Sequence, residues 1–295
     1  MSFPDPSVTM RPRHPAAIMI PSFRSSVHDH TTRVSENRDL GGSHFLLTLE
    51  AEPIAVSARP GHFVMLRFDG CLDPLLPRPM SVCNVLPPGG GHPGRIQILH
   101  KVVGKGTARL STLKPGERLQ VLGPLGRPFE TPASGEGGSL AVMVAGGIGV
   151  AIFPLLVPQL KRAGYESVLL FGARSSRDLV HRDWFARQGV PVRTATEDGS
   201  EGRRGLVTEL LGETLASRTS VGPIYACGPR AMLQAVSGVA NAAGKPTWLS
   251  LESYMGCGIG ACLGCVTRVR RERTWAYQRI CVEGPTFSST EVLWE

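Results

Sequence analysis

Aromatic residues make up only 6% of this 295-residue chain, and it has no run of Lys or Arg interleaved with aromatics. The net charge of +8 at pH 7 therefore favours anionic ligands or an acidic partner, and we expect no nucleic acid partner. The N-terminus also lacks the apolar segment of a secretory signal, since prolines interrupt it, so we expect a cytoplasmic protein. The longest uncharged run, Leu140 to Val157, contains Gly146, Gly147 and Pro154. It therefore predicts a buried strand, a turn and a helix start, and no membrane span.

The chain divides into four parts that differ in sequence pattern. Residues 1–26 have no periodicity and read as an extension. Residues 27–130 hold short apolar runs separated by Gly and Pro turns, which is typical of an antiparallel β-barrel. After a linker of small residues, 137–246 alternates strand-like and helical stretches, which predicts an α/β domain with a parallel sheet. Residues 247–295 form a small C-terminal domain that holds four of the seven cysteines.

The α/β part predicts four helices. We expect them through Leu160, from Arg177 to Gln188, from Leu206 to Leu211, and from Arg230 onward.

The cysteines of the C-terminal part are spaced Cys257-x4-Cys262-x2-Cys265, with Cys281 further on. This spacing matches plant-type [2Fe–2S] sites, where four thiolates hold two irons. Gly and Ala between the cysteines allow backbone N–H groups to approach the cluster's sulfides. Structural zinc and disulfides are alternatives, but zinc usually takes paired C-x2-C or C-x2-H ligands, and disulfides need an oxidising compartment.

A predicted hairpin between the third and fourth cysteines is rich in arginine. It is either a solvated turn or a positive collar that favours the reduced cluster or docks an acidic partner. Its arginines are Arg268, Arg270, Arg271, Arg273 and Arg279.

A one-electron cluster joined to an α/β unit needs a flavin to exchange electron pairs for single electrons. Arg78 offers a guanidinium for a diphosphate, and the Ser81 hydroxyl offers a bond to a flavin ring nitrogen. Further along, Leu99-His100-Lys101 precedes Gly104-Lys105-Gly106-Thr107, a turn that suits phosphate at a helix start. Each motif alone is weak, but their order on a predicted barrel favours an FAD site.

Two turns at the carboxyl edge of the predicted parallel sheet favour a nicotinamide nucleotide. Ala145 to Gly149 follows one strand, although Ile152 stands where the third glycine of the dinucleotide fingerprint would be. Tyr225 to Pro229 follows another strand and contains Cys227, which either lines the nicotinamide pocket or fills the core. Glu197 and Asp198 would repel a 2′-phosphate and favour NAD over NADP. The candidate nucleotide-binding residues are Gly146, Gly147, Gly149, Cys227, Gly228 and Pro229.

In this order, RPMS, LHK, GKGT, GPLGRPF, AGGIG, CGP and GCGIGACLGC resemble the ferredoxin–NADP reductase superfamily. Within it, the chain is most similar to the electron transfer subunits of dihydroorotate dehydrogenase, a family of iron–sulfur flavoproteins. The resemblance implies a [2Fe–2S] cluster on Cys257, Cys262, Cys265 and Cys281, with Ser81 and Cys227 as the candidate catalytic residues. It also implies that FAD is bound by Arg78, Pro79, Met80, Ser81, Leu99, His100, Lys101, Gly106 and Thr107.

The same resemblance implies a role in a hetero-oligomer, such as a heterotetramer, that serves pyrimidine biosynthesis. Electrons would pass from FMN in a separate dihydroorotate-oxidising subunit through the cluster and FAD to NAD. Two alternatives stay open. One is an NAD(P)H–ferredoxin-type reductase subunit of another complex, such as one linked to hydrogenase, sulfur metabolism or glutamate synthase. The other is a non-catalytic, zinc-bearing assembly module.

Overall fold

A computed structural model describes residues 27–70, 72–131, 139–218, 220–272 and 274–294. The predicted N-terminal extension, the linker residues 132–138 and Arg273 lie outside the described residues. The fold comprises two seven-stranded sheets and a two-stranded hairpin. This is the predicted combination of an antiparallel barrel, a parallel-sheet α/β unit and a small C-terminal segment.

The first sheet is entirely antiparallel and has the order β4-β3-β7-β1-β2-β6-β5. Two short helices, α1 (Glu52–Ser57) and α2 (Lys105–Ser111), accompany it. Its strands are β1 (His28–Gly41), β2 (His44–Glu50), β3 (Phe63–Arg67), β4 (Arg78–Ser81), β5 (Asn84–Leu86), β6 (Arg95–Lys101) and β7 (Arg118–Leu125).

The connection between β4 and β5 explains why this sheet curls into a barrel. The two strands form opposite edges, yet only Val82 and Cys83 separate them in sequence. Val82 donates its N–H to the carbonyl of His62 beside β3, and Cys83 donates to Gln97 of β6. The two edges are therefore brought together, and the alternating apolar side chains of the strands fill the interior.

The second sheet has the order β11-β10-β9-β8-β12-β13-β16, and β16 is its only antiparallel member. The strand order reverses at β8, so the topological switch point lies between β8 and β12. Its strands are β8 (Leu140–Gly146), β9 (Glu166–Ala173), β10 (Val192–Thr196), β11 (Arg203–Arg204), β12 (Val221–Cys227), β13 (Thr247–Ser250) and β16 (Thr286–Ser288).

The helices of this unit differ in length from the predictions. Helices α5 (Val207–Ser217) and α6 (Arg230–Ala242) begin within a residue of where they are expected. The helix after β8 is instead split into a 3-10 turn and α3 (Val157–Arg162), because Pro154 lacks the N–H that a continuous helix needs. The helix expected from Arg177 is reduced to α4 (Arg182–Arg187), because His181 adopts a left-handed conformation with φ 64°.

The C-terminal segment is anchored in the rest of the fold. It supplies β16 to the parallel sheet and forms the predicted hairpin, β14 (Val266–Arg271) with β15 (Thr274–Arg279). Cys265 and Cys281 share an apolar core with Phe63 of the barrel and Leu249 of the sheet. Within the part of the chain that the structure describes, no helix is long and apolar enough to cross a membrane.

Candidate functional site

The two barrel motifs predicted to bind FAD meet in space. A Cβ placed on Gly106 would lie 2.3 Å from Nε of Arg78, closer than real Cβ contacts allow. Glycine at this position therefore permits the Arg78 side chain to lie across the first turn of α2. The RPMS strand and the GKGT turn form one local structure.

The Thr107 hydroxyl forms its hydrogen bonds within this turn. Its Oγ1 accepts hydrogen bonds from the N–H of Val103 (2.8 Å) and of Gly104 (3.1 Å), and it donates to the Gly104 carbonyl (3.0 Å). The hydroxyl thus fixes the start of α2. The guanidinium of Arg78 is the charged group at this turn best suited to a diphosphate.

A cleft of about 260 Å³ opens beside this turn, where the barrel, the carboxyl edge of the parallel sheet and the C-terminal segment come together. Most of the predicted FAD residues line it, together with Cys227 from the nicotinamide set. The lining residues are Phe63, Pro79, Met80, Ser81, Leu99, His100, Lys101, Val103, Thr107, Ile148, Ala151, Cys227, Ser250, Leu251, Glu252, Ser253, Met255 and Pro285.

His100 shows that this cleft suits a bound polar ring system. The residue is 2% exposed and stacks on Phe45, yet neither ring nitrogen has a hydrogen-bond partner among the described residues. Burial, followed by the nearby His44, lowers the pKa of His100 to about 4, so the imidazole is neutral at pH 7. An orphaned neutral imidazole in a cleft wall is a ready donor or acceptor for a flavin.

Lys101 also lines this cleft, and its charged end has a partner within the protein. Its ammonium group forms an ion pair with Asp178, which follows β9 in the α/β unit. His44, paired with Lys101 across the strands, lies 3.8 Å from the same carboxylate. Asp178 therefore ties the barrel to the nucleotide-binding unit immediately beside the cleft.

The two glycine turns at the edge of the parallel sheet interlock at the switch point. A Cβ on Gly149 would lie 2.3 Å from the carbonyl oxygen of Cys227, and one on Gly146 would lie 2.7 Å from Cδ of Pro229. Gly147 adopts φ +52° and faces open space. The glycines thus bring the two turns into contact and leave backbone exposed where open α/β sheets bind ligands.

Sequence reasoning missed one carboxylate in the cleft, Glu252. It follows β13 and lies next to Cys227, whose thiol also contacts Ser250. Burial within the cleft walls raises the pKa of Glu252, and burial with the Glu252 charge raises the pKa of the Cys227 thiol. No motif marks Glu252, because only the three-dimensional path of β13 brings it to the flavin cleft.

The acidic pair after β10 lies at the carboxyl end of that strand. The Asp198 carboxylate accepts hydrogen bonds from the Ser200 hydroxyl (2.6 Å) and N–H (2.9 Å), which lower its pKa. Asp198 therefore carries a negative charge at the carboxyl edge of the parallel sheet, the edge at which open α/β sheets bind ligands.

The four predicted metal ligands form two pairs. The N–H of Cys262 lies 3.4 Å from Sγ of Cys257, and the N–H of Cys281 lies 3.4 Å from Sγ of Cys265. A side-chain contact also joins the members of each pair. Among the described residues no three His, Cys, Asp or Glu side chains converge on a single ion. Two pairs of thiols suit a two-iron cluster, in which each iron takes two thiolates.

The surroundings of Cys257 and Cys265 favour the thiolate form required of a ligand. The side chain and N–H of Cys281 outweigh burial and lower the pKa of Cys265 to about 6, whereas its partner Cys281 has a raised pKa. Burial acts to raise the pKa of Cys257, but bonds from Cys262 and Ile259 lower it to about 7. These pKa values suit cysteines that share protons in the metal-free protein and release those protons when a metal binds.

Glycine shapes this cysteine loop. Gly258 adopts φ +73°, and a Cβ there would lie 2.4 Å from Cγ of Met65 in the barrel. Residues at both ends of the loop line the flavin cleft. Met255 lies just before Cys257 in the sequence, and Pro285 lies shortly after Cys281. A cluster on these cysteines would therefore sit next to a flavin in the cleft.

Three arginines of the hairpin make side-chain contacts that the structure describes. Arg271 pairs with Glu291, and Arg279 pairs with Glu283. The Arg268 guanidinium lies 4.5 Å from the ring centre of Trp275. Two of the five predicted collar arginines thus pair with carboxylates, and Arg273 lies outside the described residues.

Comparisons with known proteins agree with this arrangement. Residues 252–293 match the model of the iron–sulfur cluster binding domain of dihydroorotate dehydrogenase B, and residues 143–238 match that of the oxidoreductase NAD-binding domain.

Curated relatives extend the similarity over most of the chain. The electron transfer subunit of dihydroorotate dehydrogenase B (NAD(+)) from Desulforamulus reducens is 39% identical over 85% of this chain and 93% of its own. The subunit of the same name from Geobacillus thermodenitrificans is 38% identical over 88% of this chain and 96% of its own.

Solved structures share the fold. A structure of NADH-dependent reduced ferredoxin–NADP oxidoreductase has a TM-score of 0.77 and 29% identity, and the match covers 89% of this chain and 90% of that one. The ferredoxin reductase of carbazole 1,9a-dioxygenase has a TM-score of 0.62 at 21% identity, over 75% of this chain and 67% of that one.

Proposed function

Because this chain belongs to the family of electron transfer subunits of NAD-dependent dihydroorotate dehydrogenase B, we propose that it carries electrons between a partner's flavin and NAD through its own [2Fe–2S] cluster and FAD. It is an oxidoreductase subunit that serves pyrimidine biosynthesis. One observation carries the proposal: a single cleft is lined by the RPMS strand, by Cys227 of the nucleotide-binding unit and by both ends of the cysteine loop.

The bound groups supply the redox chemistry, with the flavin exchanging a hydride for single electrons and the cluster carrying single electrons. The residues of the chain position these groups and place charged side chains beside them. Arg78 would hold the flavin's diphosphate, and Ser81 and the neutral imidazole of His100 would offer hydrogen bonds to its ring system. The pairs Cys257 with Cys262 and Cys265 with Cys281 would hold one iron each.

Cys227 and Glu252 form the wall of the cleft that nicotinamide would approach. The uncharged Cys227 thiol leaves that wall apolar enough to accept a nicotinamide ring. Burial raises the pKa of Glu252, so its carboxyl holds a proton beside the flavin more readily than an exposed glutamate does. The diphosphate would approach along the two glycine turns, which contain Gly146, Gly147, Gly149, Gly228 and Pro229. The Asp198 carboxylate favours the ribose of NAD over the 2′-phosphorylated ribose of NADP.

The partner belongs on the face that carries the exposed Cys262. Apolar side chains surround this cysteine, and Ile259, Leu263 and Val266 are 37%, 54% and 40% exposed. Exposed apolar side chains around a redox centre are typical of an interface, because they exclude water from the electron path. We assign this face to an FMN-containing, dihydroorotate-oxidising subunit, and we place the complex in the reducing cytoplasm, where cysteine ligands stay free.

Anaerobic titration of the purified protein with NADH, followed by visible absorption, tests the electron path. We expect loss of the flavin bands and then of the iron–sulfur bands, because hydride enters at the flavin and single electrons continue to the cluster. A flavin band that NADH leaves unchanged would overturn the assignment of the cleft. A colourless preparation with stoichiometric zinc would support the zinc-bearing assembly module.

Reconstitution identifies the partner. We expect NADH to form from dihydroorotate only when this chain and an FMN-containing catalytic subunit are mixed. The ferredoxin reductase alternative has support from the 29% identical structure of a ferredoxin–NADP oxidoreductase. Rapid reduction of ferredoxin by NADH, with no turnover of dihydroorotate in the mixture, would favour that alternative.

A further inference from the structure

Arg279 lies at the point where the two halves of the cysteine loop meet. Its guanidinium makes a forked contact with the Glu283 carboxylate, in which Nε lies 3.1 Å from Oε2 and Nη2 bonds Oε1. Nη1 donates to the carbonyl of Gly260 at 3.3 Å. Since Gly260 lies between Cys257 and Cys262, this one side chain joins the first ligand pair to the turn that carries Cys281.

The turn itself is built on the same two residues. The backbone N–H of Arg279 donates to Oε2 of Glu283 at 2.7 Å, and the Arg279 carbonyl accepts from the N–H of Val282 and of Glu283. Gly260 must be glycine here, because a Cβ on it would lie 2.7 Å from Val282 and 3.0 Å from Nη1 of Arg279. The position of the Arg279 side chain is thus constrained by Glu283 on one side and by Gly260 on the other.

The ion pair is also half-buried and close to the sulfurs. The Arg279 and Glu283 side chains are 13% and 19% exposed, whereas Arg271 of the same hairpin and its partner Glu291 are 40% and 38% exposed. The thiols of Cys281 and Cys265 act electrostatically on the Arg279 guanidinium. A charge this close in a poorly hydrated setting shifts a redox equilibrium more strongly than one in water does.

We propose that Arg279 and Glu283 form a positioning pair for the [2Fe–2S] cluster, in which the arginine joins the two ligand pairs and the opposed charges set the cluster's midpoint potential. The reduced cluster carries one more negative charge than the oxidised one, so the arginine stabilises the reduced form and the glutamate opposes it. This inference rests on the proposed assignment of a cluster to the four cysteines.

Two substitutions, each of which removes one charge of the pair, distinguish an electrostatic effect on the cluster's potential from a change in loop structure. Arg279→Gln leaves the half-buried Glu283 carboxylate unpaired and is expected to weaken one-electron reduction about tenfold, a shift of about 59 mV to lower potential. Glu283→Gln leaves an unpaired guanidinium and is expected to shift the potential upward. Damage to the loop alone would reduce iron content in both variants without moving the potentials in opposite directions. Arg271→Gln is the control and is expected to keep the potential of the unsubstituted protein.

The measurements are iron and acid-labile sulfide per chain, FAD per chain, and an EPR-monitored redox titration of the full-length protein. A cluster present in Arg279→Gln and Glu283→Gln with unchanged potentials would overturn the inference and leave the cluster assignment intact. If both variants lose the cluster, Arg279→Lys decides, since it keeps the charge without the fork. An unchanged potential with weakened iron retention in Arg279→Lys supports the pair, and loss of the cluster there too limits Arg279 to a structural role. An unsubstituted protein without iron would overturn both the inference and the cluster assignment.

Discussion

Replacing Gly106 with alanine places a methyl group where the Arg78 side chain now lies. The new Cβ would be 2.3 Å from Nε, 3.0 Å from Cδ and 3.2 Å from Cζ of Arg78, so the arginine has to move away from the turn. Moving it removes a charge-assisted hydrogen bond to the FAD diphosphate, which is worth about 1.5 to 3 kcal/mol. We therefore expect the dissociation constant of FAD to rise about 10- to 150-fold.

The same substitution should not destabilise the apoprotein. Gly106 lies in helix α2 without a left-handed conformation, and alanine is favoured over glycine in helices by about 1 kcal/mol. Gly104→Ala is a matched control two residues away, because a Cβ on Gly104 meets nothing within 4 Å. FAD affinity is measured by flavin fluorescence on the deflavinated protein. If the two variants bind FAD equally well, Arg78 does not hold the diphosphate.

Three further predictions concern the cluster, the core and pH. Cys281→Ser should lose iron and sulfide while FAD stays bound, and normal iron and sulfide content would contradict the four-cysteine ligand set. Tyr225→Phe removes a buried bond of 3.1 Å to the Glu130 carbonyl and should lower the free energy of unfolding by about 1 kcal/mol, which urea denaturation of the FAD-saturated protein measures. His181 stacks on Trp184, and burial followed by nearby arginines lowers its pKa to about 4, below the value of about 6.5 in an unfolded chain. Its contribution to the free energy of unfolding is therefore fully present above pH 6.5 and is lost as the pH falls to 4. Over that interval His181→Asn should lose less stability than the original protein, by about 3 kcal/mol. Parallel pH profiles would refute this assignment.

The sequence predicts the strand pattern well because the strands alternate apolar and polar residues or form short buried runs. It predicts helix lengths less well. The 3-10 turn after β8 and the left-handed His181 depend on local backbone choices that hydrophobic periodicity does not report. The ligand spacing of Cys257, Cys262 and Cys265 is visible because cluster ligation constrains neighbours in the chain.

Features made by contacts between distant segments could not be predicted in this way. Glu252 reaches the cleft only because β13 continues the parallel sheet, and a lone glutamate has no motif. The partners of Arg271 and Arg279, Glu291 and Glu283, are also set by folding, and the spacing of the arginines in the sequence does not indicate them.

Strands β13 and β16 make the iron–sulfur segment inseparable from the nucleotide-binding unit. They close one side of the parallel sheet, and Thr286 of β16 also bonds the carbonyls of Arg127 (3.1 Å) and Pro128 (2.8 Å) next to the barrel. A chain truncated before Thr247 would leave β12 as a bare edge strand, which invites intermolecular pairing and aggregation. Transplanting this redox centre onto another reductase would consequently require both strands to move with the cysteines.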